Sequence, residues 1–386
     1  MMKIIYYEMR KSWLKISTFA VLFVLTILNF IQSDGACQTL YPKTYGDRKE
    51  AYFRLYETVC GEITEEKIAP FRQRANELEN EVSDMVFSHE YNPDEYITGY
   101  IFGDFNLYNL DIGPEISYCA TYPNISNKIT TNAAECYNFY KSAGNEFDAE
   151  KFLMIYQMYQ GREIPEYRAT YWTNLFFNHD FSSLLCLIML ILCLSSSFTN
   201  EKSSGMNALI LAYGKSRSTI FAKVISSAVF CAVLTIYFSL CDLVNTHFLL
   251  GVEGLDMPIY SAEMFQNSPF SFSFIGAILV KAAMRFLALF AVSLLIIFFS
   301  KISPNTIISM ALNFGALLTM IILTSFSKSV INPINSLSPT TFLEDFSTIN
   351  LCGQPILALF AAVLFMAVEC NILCGMIAIN GKSDRR

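Results

Sequence analysis

Uninterrupted runs of apolar residues divide this chain into a small number of predicted membrane spans. The first run, residues 13–31, has one charge at its edge and close to the ~20 residues that a helix needs to cross a bilayer. Five more runs follow in the second half of the chain, after a long polar interval. They cover residues 181–198, 219–243, 274–299, 304–326 and 355–379. The pattern therefore predicts six transmembrane helices.

The polar interval between the first two runs covers residues 32–180, which is long enough for a domain with its own core. Its first half predicts a helix, because apolar residues recur at alternating steps of four and three. These residues are Phe71, Ala75, Leu78, Val82 and Met85. The middle, 91–145, is rich in Tyr, Asn, Gly and Pro, which favours loops with short elements. We therefore expect an all-α polytopic membrane protein with a mainly helical domain inserted between its first and second spans.

Composition and charge add sidedness to this layout. The chain is 53% hydrophobic with a mean hydropathy of +0.37, which is too apolar for an ordinary soluble protein. Residues 32–180 carry 24 acidic and 12 basic side chains, whereas the remainder carries 10 and 15. Because basic residues are retained on the cytoplasmic side, we expect an extracellular inserted domain and cytoplasmic amino and carboxyl termini. The expected location is the cell membrane.

The amino-terminal residues 1–12 place Ile4, Ile5, Tyr6 and Met9 beside Lys3, Arg10 and Lys11, which favours an amphipathic helix lying on the membrane surface. A plain charged flank before the first span fits this stretch equally well. Residues 34–37, Asp-Gly-Ala-Cys, faintly resemble a lipoprotein cleavage box, but that box needs leucine where Asp34 stands. The apolar run is also longer than a signal-peptide core of roughly 7–15 residues. We therefore expect the first run to stay in the membrane as a span.

The segment 199–223 is the longest polar interval in the apolar half of the chain, and it has a pattern of its own. Glu201 and Gly205 lie four residues apart, and an apolar stripe at helical spacing follows them. The stripe consists of Met206, Leu209, Ile210 and Tyr213. Gly214 is a stop signal, and a basic group of Lys215, Arg217 and Lys223 leads into the next span. The segment predicts a short amphipathic helix between two spans.

This order, from Glu201 and Gly205 through a helical turn and a break to Ser216-Arg217 and Lys223, resembles the cytoplasmic coupling segment of ABC-2-type exporter permeases. The family often has proline at the break, where this chain has Gly214-Lys215. The resemblance implies that residues 200–218 dock on a separate ATP-binding subunit, which binds the ATP and Mg²⁺. It also implies a second permease chain, in a homodimer or a heterodimer, and a partly re-entrant turn between the fifth and sixth spans. The expected function is that of the permease subunit of an ATP-driven exporter.

The sequence itself lacks the phosphate-binding loop G-x-x-x-x-G-K-[ST]. Gly214-Lys215-Ser216 has Leu209 where the first glycine belongs, and Gly381-Lys382-Ser383 has Met376 there. Neither a hydrolase-type nucleophile and base nor metal-ligand spacing of histidines is present. We therefore expect a transport subunit that is not an enzyme, binds no cofactor or metal, and contacts membrane lipids rather than nucleic acid. The alternative is an envelope sensor or assembly protein without transport activity.

Apart from Lys15 and Lys223 at the ends of spans, four charged residues fall within the predicted spans, namely Asp242, Lys281, Arg285 and Glu369. An intramembrane charge costs ~2.5–3.5 kcal/mol on insertion scales, so each residue is a candidate for a functional role. Asp242 lies at a depth similar to that of Lys281 and Arg285, so it can pair with either of them. Alternatively, Asp242 and Lys281 snorkel separately to water. Glu369 lies deepest, and we expect it to face protein or a cavity.

Four cysteines, Cys37, Cys60, Cys119 and Cys136, lie in the acidic interval. Pairing Cys37 with Cys60 and Cys119 with Cys136 closes two short loops, and we predict these disulfides. Free buried thiols fit the sequence equally well. The cysteines within the spans are expected to be small packing residues.

Overall fold

A computed structural model of the chain describes residues 1–40, 48–87, 100–213, 216–327 and 329–383. That part of the chain contains six helical segments long and apolar enough to cross a membrane. They are Ile16–Thr39, Trp172–Ser203, Arg217–Leu250, Phe274–Ile302, Thr306–Phe326 and Ala358–Ile379. By length and composition, the predicted all-α polytopic membrane protein is confirmed.

The first half of the chain forms two amino-terminal helices and an inserted domain. The amino-terminal helices are α1 (Met2–Ser12) and α2 (Ile16–Leu40). The inserted domain contains α3 (Arg48–Val59), β1 (Gly61–Glu62), α4 (Glu65–Phe87), α5 (Tyr100–Phe105), a π-helical turn (Asn106–Asp111), α6 (Ile112–Ser142), α7 (Glu146–Tyr159) and β2 (Glu166–Tyr167). Strands β1 and β2 pair antiparallel, so the two ends of the domain meet.

The second half contains the remaining spans and short connecting elements. In order these are α8 (Trp172–Asn178), α9 (Phe181–Leu194), α10 (Thr199–Ser203), α11 (Met206–Ala212), α12 (Ser216–Leu250), α13 (Phe274–Ile302), α14 (Thr306–Phe326), α15 (Pro333–Leu337), α16 (Thr340–Glu344), β3 (Thr348–Leu351), β4 (Gln354–Leu357) and α17 (Ala358–Ser383). Strands β3 and β4 form an antiparallel hairpin with Leu351 opposite Gln354. The hairpin leads directly into the last span.

The inserted domain is more helical than its composition predicts. The apolar repeat that begins at Phe71 lies in α4, as expected. The prediction of loops over residues 91–145 is wrong for α6, a helix of 31 residues. This helix forms a hairpin with α7: Tyr140 stacks on Phe152 near the turn, and Ser126 Oγ donates to the Tyr159 carbonyl at 2.6 Å further along. Packing between the two helices outweighs the weak local preference of the Asn- and Thr-rich sequence.

The second and fourth spans form the centre of the membrane domain. In their most apolar windows, 72% and 56% of the residues are buried, against 17% in the first, fifth and sixth spans. The three peripheral spans therefore present most of their apolar side chains outward. This arrangement leaves a large apolar surface for lipid or for another membrane helix.

The helix boundaries differ from those expected at two places. Helix α2 continues to Leu40, nine residues past the expected end of the first span. Helix α9 begins at Phe181, as expected, but the helical segment of the second span starts earlier, at Trp172, and His179 and Asp180 interrupt it between α8 and α9. The break places the Asp180 side chain beside the membrane helices, where it has a role described below.

The segment 251–273 joins α12 to α13 and fixes the inserted domain on the membrane domain. Arg162, which is buried, donates from Nη1 to the Ser268 carbonyl at 2.7 Å and from Nη2 to the Pro269 carbonyl at 2.8 Å. Trp172 donates from Nε1 to the Glu253 carbonyl at 2.9 Å. These bonds satisfy buried carbonyls that would otherwise lose their water contacts. The inserted domain is therefore firmly attached to the base of the fourth span.

Candidate docking groove and buried charge clusters

Between the second and third spans, residues 199–212 form two short helices that meet at Gly205. Helix α10 ends at Ser203, and Gly205 adopts a φ of +71°. This left-handed conformation strains residues that carry a Cβ, so glycine is favoured at the position after a helix end. The conformation of the turn is enough to explain why residue 205 is glycine, without any contact to a partner protein. The predicted helix stop and break at residues 214–215 lie outside the described residues.

Helices α1 and α11 form the walls of an apolar groove of about 380 Å³, which we call the docking groove. Its lining includes Ile4 and Tyr7 from α1 and Met206, Leu209 and Ile210 from α11. Leu209 is 59% exposed, although it is a large apolar side chain at the edge of the membrane domain. Residues 2–12 and 206–212 are both helical, and apolar side chains from the two helices share one groove.

Glu201 lies at the floor of this groove, in a buried group of charges that we call the junction cluster. The cluster consists of Glu8, Lys11, Glu201 and Lys223. Glu201 is 3% exposed, and its Oε1 accepts from Lys11 Nζ at 2.5 Å and from Lys223 Nζ at 2.8 Å. Lys223 Nζ also donates to Glu8 Oε2 and to the Ser197 carbonyl, both at 2.8 Å. All three ammonium protons of Lys223 have an acceptor, as a buried lysine needs.

Glu201, which the ABC-2-type resemblance places in the segment that docks on a partner, is buried in the junction cluster. Its carboxylate holds α1, α10 and α12 together within the chain. A Glu201→Ala variant would leave Lys11 and Lys223 short of a partner, so it would disturb folding as well as any docking. Lys202 binds the end of α13, since its Nζ donates to the Lys301 and Ser303 carbonyls. Arg217 is exposed at the start of α12.

A second group of charges lies at the other end of the spans, and we call it the Arg285 cluster. It consists of Asp180, Asp242, Lys281 and Arg285. Arg285 Nη2 is 2.7 Å from Asp180 Oδ1, and Arg285 Nη1 is 3.1 Å from Asp242 Oδ2. The predicted pairing of Asp242 with Arg285 is confirmed. Lys281 instead donates to the Phe176 carbonyl at 2.5 Å and lies 4.0 Å from Asp180, so neither basic residue snorkels to water.

Uncharged side chains complete the Arg285 cluster and connect it to other helices. Asn29 Nδ2 on α2 donates to Asp242 Oδ1 at 3.0 Å, and Ser182 Oγ on α9 donates to Asp242 Oδ2 at 2.6 Å. The cluster therefore joins α2, α9, α12 and α13. Sequence reasoning missed Asp180, because it counted this residue as the last of the polar interval. Its place directly before an apolar run was the only signal.

The two clusters lie about one bilayer thickness apart. Lys223 and Asp242 are both on α12, 19 residues or about 29 Å from each other, and the hydrocarbon core is about 30 Å thick. Glu369 lies on α17, eight residues or about 12 Å from Ile377, whose carbonyl accepts from Lys301. It is half-buried, and no described residue forms a hydrogen bond or ion pair with it. Most of the buried charge thus sits near the two ends of the spans, and Glu369 lies between them.

The predicted disulfides are wrong for the described structure. Cys60, Cys119 and Cys136 are free thiols, so neither pair is bonded. Cys119 and Cys136 lie on the same helix, 17 residues or about 26 Å apart, and a disulfide needs Cα atoms within about 7 Å. Cys37 is buried on α2. In the spans, Cys186, Cys193 and Cys231 are buried packing residues, as expected.

Comparisons of the chain with protein-family models, with curated proteins and with solved structures returned no match. The ABC-2-type resemblance therefore rests on the coupling segment and on the six-span layout.

Proposed function

We propose that this chain is the permease subunit of an ATP-driven exporter, and that a separate ATP-binding subunit docks in the groove between α1 and α11. The observation that carries the proposal is the exposed apolar side of α11 above a floor of paired charges. Large apolar side chains in one exposed groove favour a partner that covers them. An amphipathic helix held against a groove is also a common form of protein recognition.

The junction cluster provides a way to pass motion from the groove to the spans. Lys223 belongs to α12, and it binds Glu201 on α10 and Glu8 on α1. A displacement of the docked helices would therefore pull directly on α12. The opposite end of α12 carries Asp242 in the Arg285 cluster, which also binds α2, α9 and α13. In this mechanism, ATP binding in the partner moves α12 relative to the other spans and opens the path for cargo.

Sidedness and assembly follow from the same proposal. The docking groove faces the cytoplasm, and the lysines at that end, Lys11, Lys202, Lys223 and Lys301, agree with the excess of basic residues there. The inserted domain then lies on the extracellular side. The exposed faces of the peripheral spans contact lipids and a second permease chain, whose separation along an interface passes the cargo. ATP and Mg²⁺ are bound by the partner alone.

The test compares Leu209→Asp with Phe139→Asp in the tagged full-length chain, purified from its native membranes. Phe139 is 65% exposed on α6 of the inserted domain, so it matches Leu209 in size and exposure but lies away from the groove. We expect the wild type and Phe139→Asp to retain a co-purified protein that hydrolyses ATP and contains G-x-x-x-x-G-K-[ST]. Leu209→Asp should lose at least tenfold of that ATPase activity at unchanged abundance and melting temperature.

Equal ATPase recovery with Leu209→Asp would refute docking in this groove. Absence of any ATP-hydrolysing partner from the wild-type preparation would refute the exporter assignment and favour the envelope sensor or assembly protein. Equal loss with both variants would show that the effect comes from surface charge in general rather than from the groove.

A further inference from the structure

A second cavity lies where the inserted domain meets the segment 251–273, and it shares no lining residue with the docking groove. Its volume is about 670 Å³, which falls within the range of small-molecule sites. Four parts of the chain line it: the π-helical turn, the start of α6, the stretch before and within α8, and residues 261–266. The cavity therefore forms only where α6, α8 and the segment 251–273 pack together.

Three carboxylates line this cavity, and no lysine, arginine or histidine is among its described lining residues. Asp111 and Glu115 come from the π-helical turn and α6, and Glu263 comes from the facing segment. π-helical turns are rare and are frequently found at functional sites. The charges of Asp111 and Glu263 repel that of Glu115, and a bound cation would relieve this repulsion.

Glu115 is held in place by phenols from two other elements. Tyr167 on β2 donates to Glu115 Oε2 at 2.7 Å, and Tyr52 on α3 reaches the same oxygen at 3.5 Å. No described hydrogen bond occupies Glu115 Oε1, so that oxygen remains available to a ligand. Burial raises the pKa of both phenols well above the ordinary value, and the Glu115 charge raises it further. Both tyrosines therefore stay protonated and remain donors to the carboxylate.

Ser261 provides an independent sign that the cavity is built to hold a ligand. Its side chain lines the cavity and is only 3% exposed, yet its Oγ has no hydrogen-bond partner among the described residues. A buried hydroxyl without a partner costs free energy, so such groups are rare in folded proteins. A ligand with a polar group would satisfy this hydroxyl. The apolar walls Leu110 and Met264 would cover its carbon atoms.

We propose that this cavity binds an organic cation, in which an ammonium or guanidinium group pairs with Glu115, Asp111 and Glu263 and donates to Ser261 Oγ. The described residues contain no group of histidine, cysteine or carboxylate side chains that could hold a metal ion, so the geometry favours an organic cation over a metal. The same cationic group occurs in free amines and in the lysine side chain of a peptide. This inference stands whether or not an ATPase docks in the groove.

Binding should depend on pH through Glu115. The pKa of this carboxyl is raised to about 7, mainly by burial; the bonds from Tyr167 and Tyr52 oppose the shift, and the charges of Asp111 and Glu263 add to it. Among the other titratable neighbours, burial raises the pKa of Cys119, on the next turn of α6, to about 12, and it also raises the pKa of Tyr118 in the cavity lining, so both groups stay neutral. A cation prefers the ionised carboxylate and therefore releases a proton when it binds. Affinity should rise about tenfold from pH 6 to pH 8.

The experiment is calorimetric titration of the purified full-length protein in detergent at pH 6 and pH 8. The probes are 1,4-diaminobutane and a terminally blocked Gly-Lys-Gly peptide, with 1,4-butanediol and blocked Gly-norleucine-Gly as uncharged controls. We expect Glu115→Gln to weaken cation binding about tenfold or more at pH 8, and Glu263→Gln to weaken it about threefold. Glu263 is exposed, so its variant should fold even where the Glu115 variant does not. The control Glu66→Gln, an exposed carboxylate on α4, should bind as the wild type does.

Tighter binding of the diamine than of the peptide would identify a free amine as the ligand, and the reverse would identify a lysine-bearing segment. Both outcomes support a cation site. The proposal is overturned if no cationic probe binds, if the uncharged controls bind equally well, or if Glu263→Gln and Glu115→Gln leave the affinity unchanged.

Discussion

Replacing Asp242 by asparagine tests whether the Arg285 cluster acts as one unit. The change keeps the shape of the side chain and removes its charge, so the cluster passes from two carboxylates and two cations to an excess of one cation. Arg285 keeps Asp180 at 2.7 Å, but it loses the ionic partner at 3.1 Å. Arg285 is fully buried, so water cannot replace the lost charge.

The expected cost follows from these contacts. Removing one partner of a buried ion pair costs roughly 3–5 kcal/mol of stability. Because Arg285 keeps Asp180 as a partner, we expect Asp242→Asn to cost about 3 kcal/mol, near the lower limit. Arg285→Gln should cost about 4–5 kcal/mol, because it leaves two carboxylates with Lys281 alone. In the double variant, which combines Asp242→Asn with Arg285→Gln, only the charges of Asp180 and Lys281 remain, so the cluster is neutral again. The cost of the double variant should therefore be about 4 kcal/mol, well below the sum of the single costs.

Thermal unfolding of the purified protein in detergent measures these differences. At this chain length 1 kcal/mol corresponds to ~1–2 °C, so Asp242→Asn should lower the melting temperature by ~3–6 °C. Glu369→Gln is the matched control, since Glu369 is an intramembrane carboxylate with no described ionic partner, and it should change the melting temperature by less than ~1 °C. Additive single and double costs, or an equal effect of Glu369→Gln, would refute the pairing argument.

Two further predictions concern the junction cluster and the topology. Lys223→Met should lower the melting temperature and the membrane abundance, because buried Glu8 would lose its ion pair with Lys223 and buried Glu201 would keep only Lys11. Lys3→Met, an exposed change on α1, is the control, and an equally mild effect of both variants would contradict the cluster. Single cysteines at Lys202 and Glu65 should react with an impermeant thiol reagent from opposite sides of the membrane, Glu65 from outside intact cells. Labelling of both positions from outside would contradict the proposal that the docking groove faces the cytoplasm.

The sequence predicted the membrane helices well, because the cost of burying backbone in lipid makes long apolar helices nearly obligatory. The apolar sides of α1 and α11 could also be recognised in the sequence. Apolar residues at helical spacing indicate an amphipathic helix whatever the helix packs against. Depth alone limited the partners of Asp242 to Lys281 and Arg285, and it left open both the choice between them and separate snorkelling. An ionised group inside a membrane has few alternatives to a partner of opposite charge.

Features that depend on contacts between distant parts of the chain were not predictable. Glu201 and Glu8 are 193 positions apart, and only the fold shows that both bind Lys223. The helix α6 was missed because its Asn, Thr and Tyr residues have weak helical preference, and packing against α7 decides the outcome. Cysteine spacing suggested a loop between Cys119 and Cys136, whereas a continuous helix holds them far apart. In each case tertiary structure overrides a local signal.

The positions of the two charge clusters on α12 have a mechanical consequence. Buried ion pairs contribute little net stability compared with well-packed apolar residues, but they strongly penalise arrangements in which one partner is displaced. A purely apolar α12 could slide or rotate against its neighbours at small cost, because lipid and apolar side chains are nearly equivalent surroundings. Lys223 and Asp242 prevent this, since each fixes one end of the helix to a different set of partners. Motion applied at the junction cluster must therefore move α12 as a whole or break the Arg285 cluster. In the proposed exporter, the free-energy cost of breaking the Arg285 cluster would restrict α12 to two discrete positions rather than a continuous range.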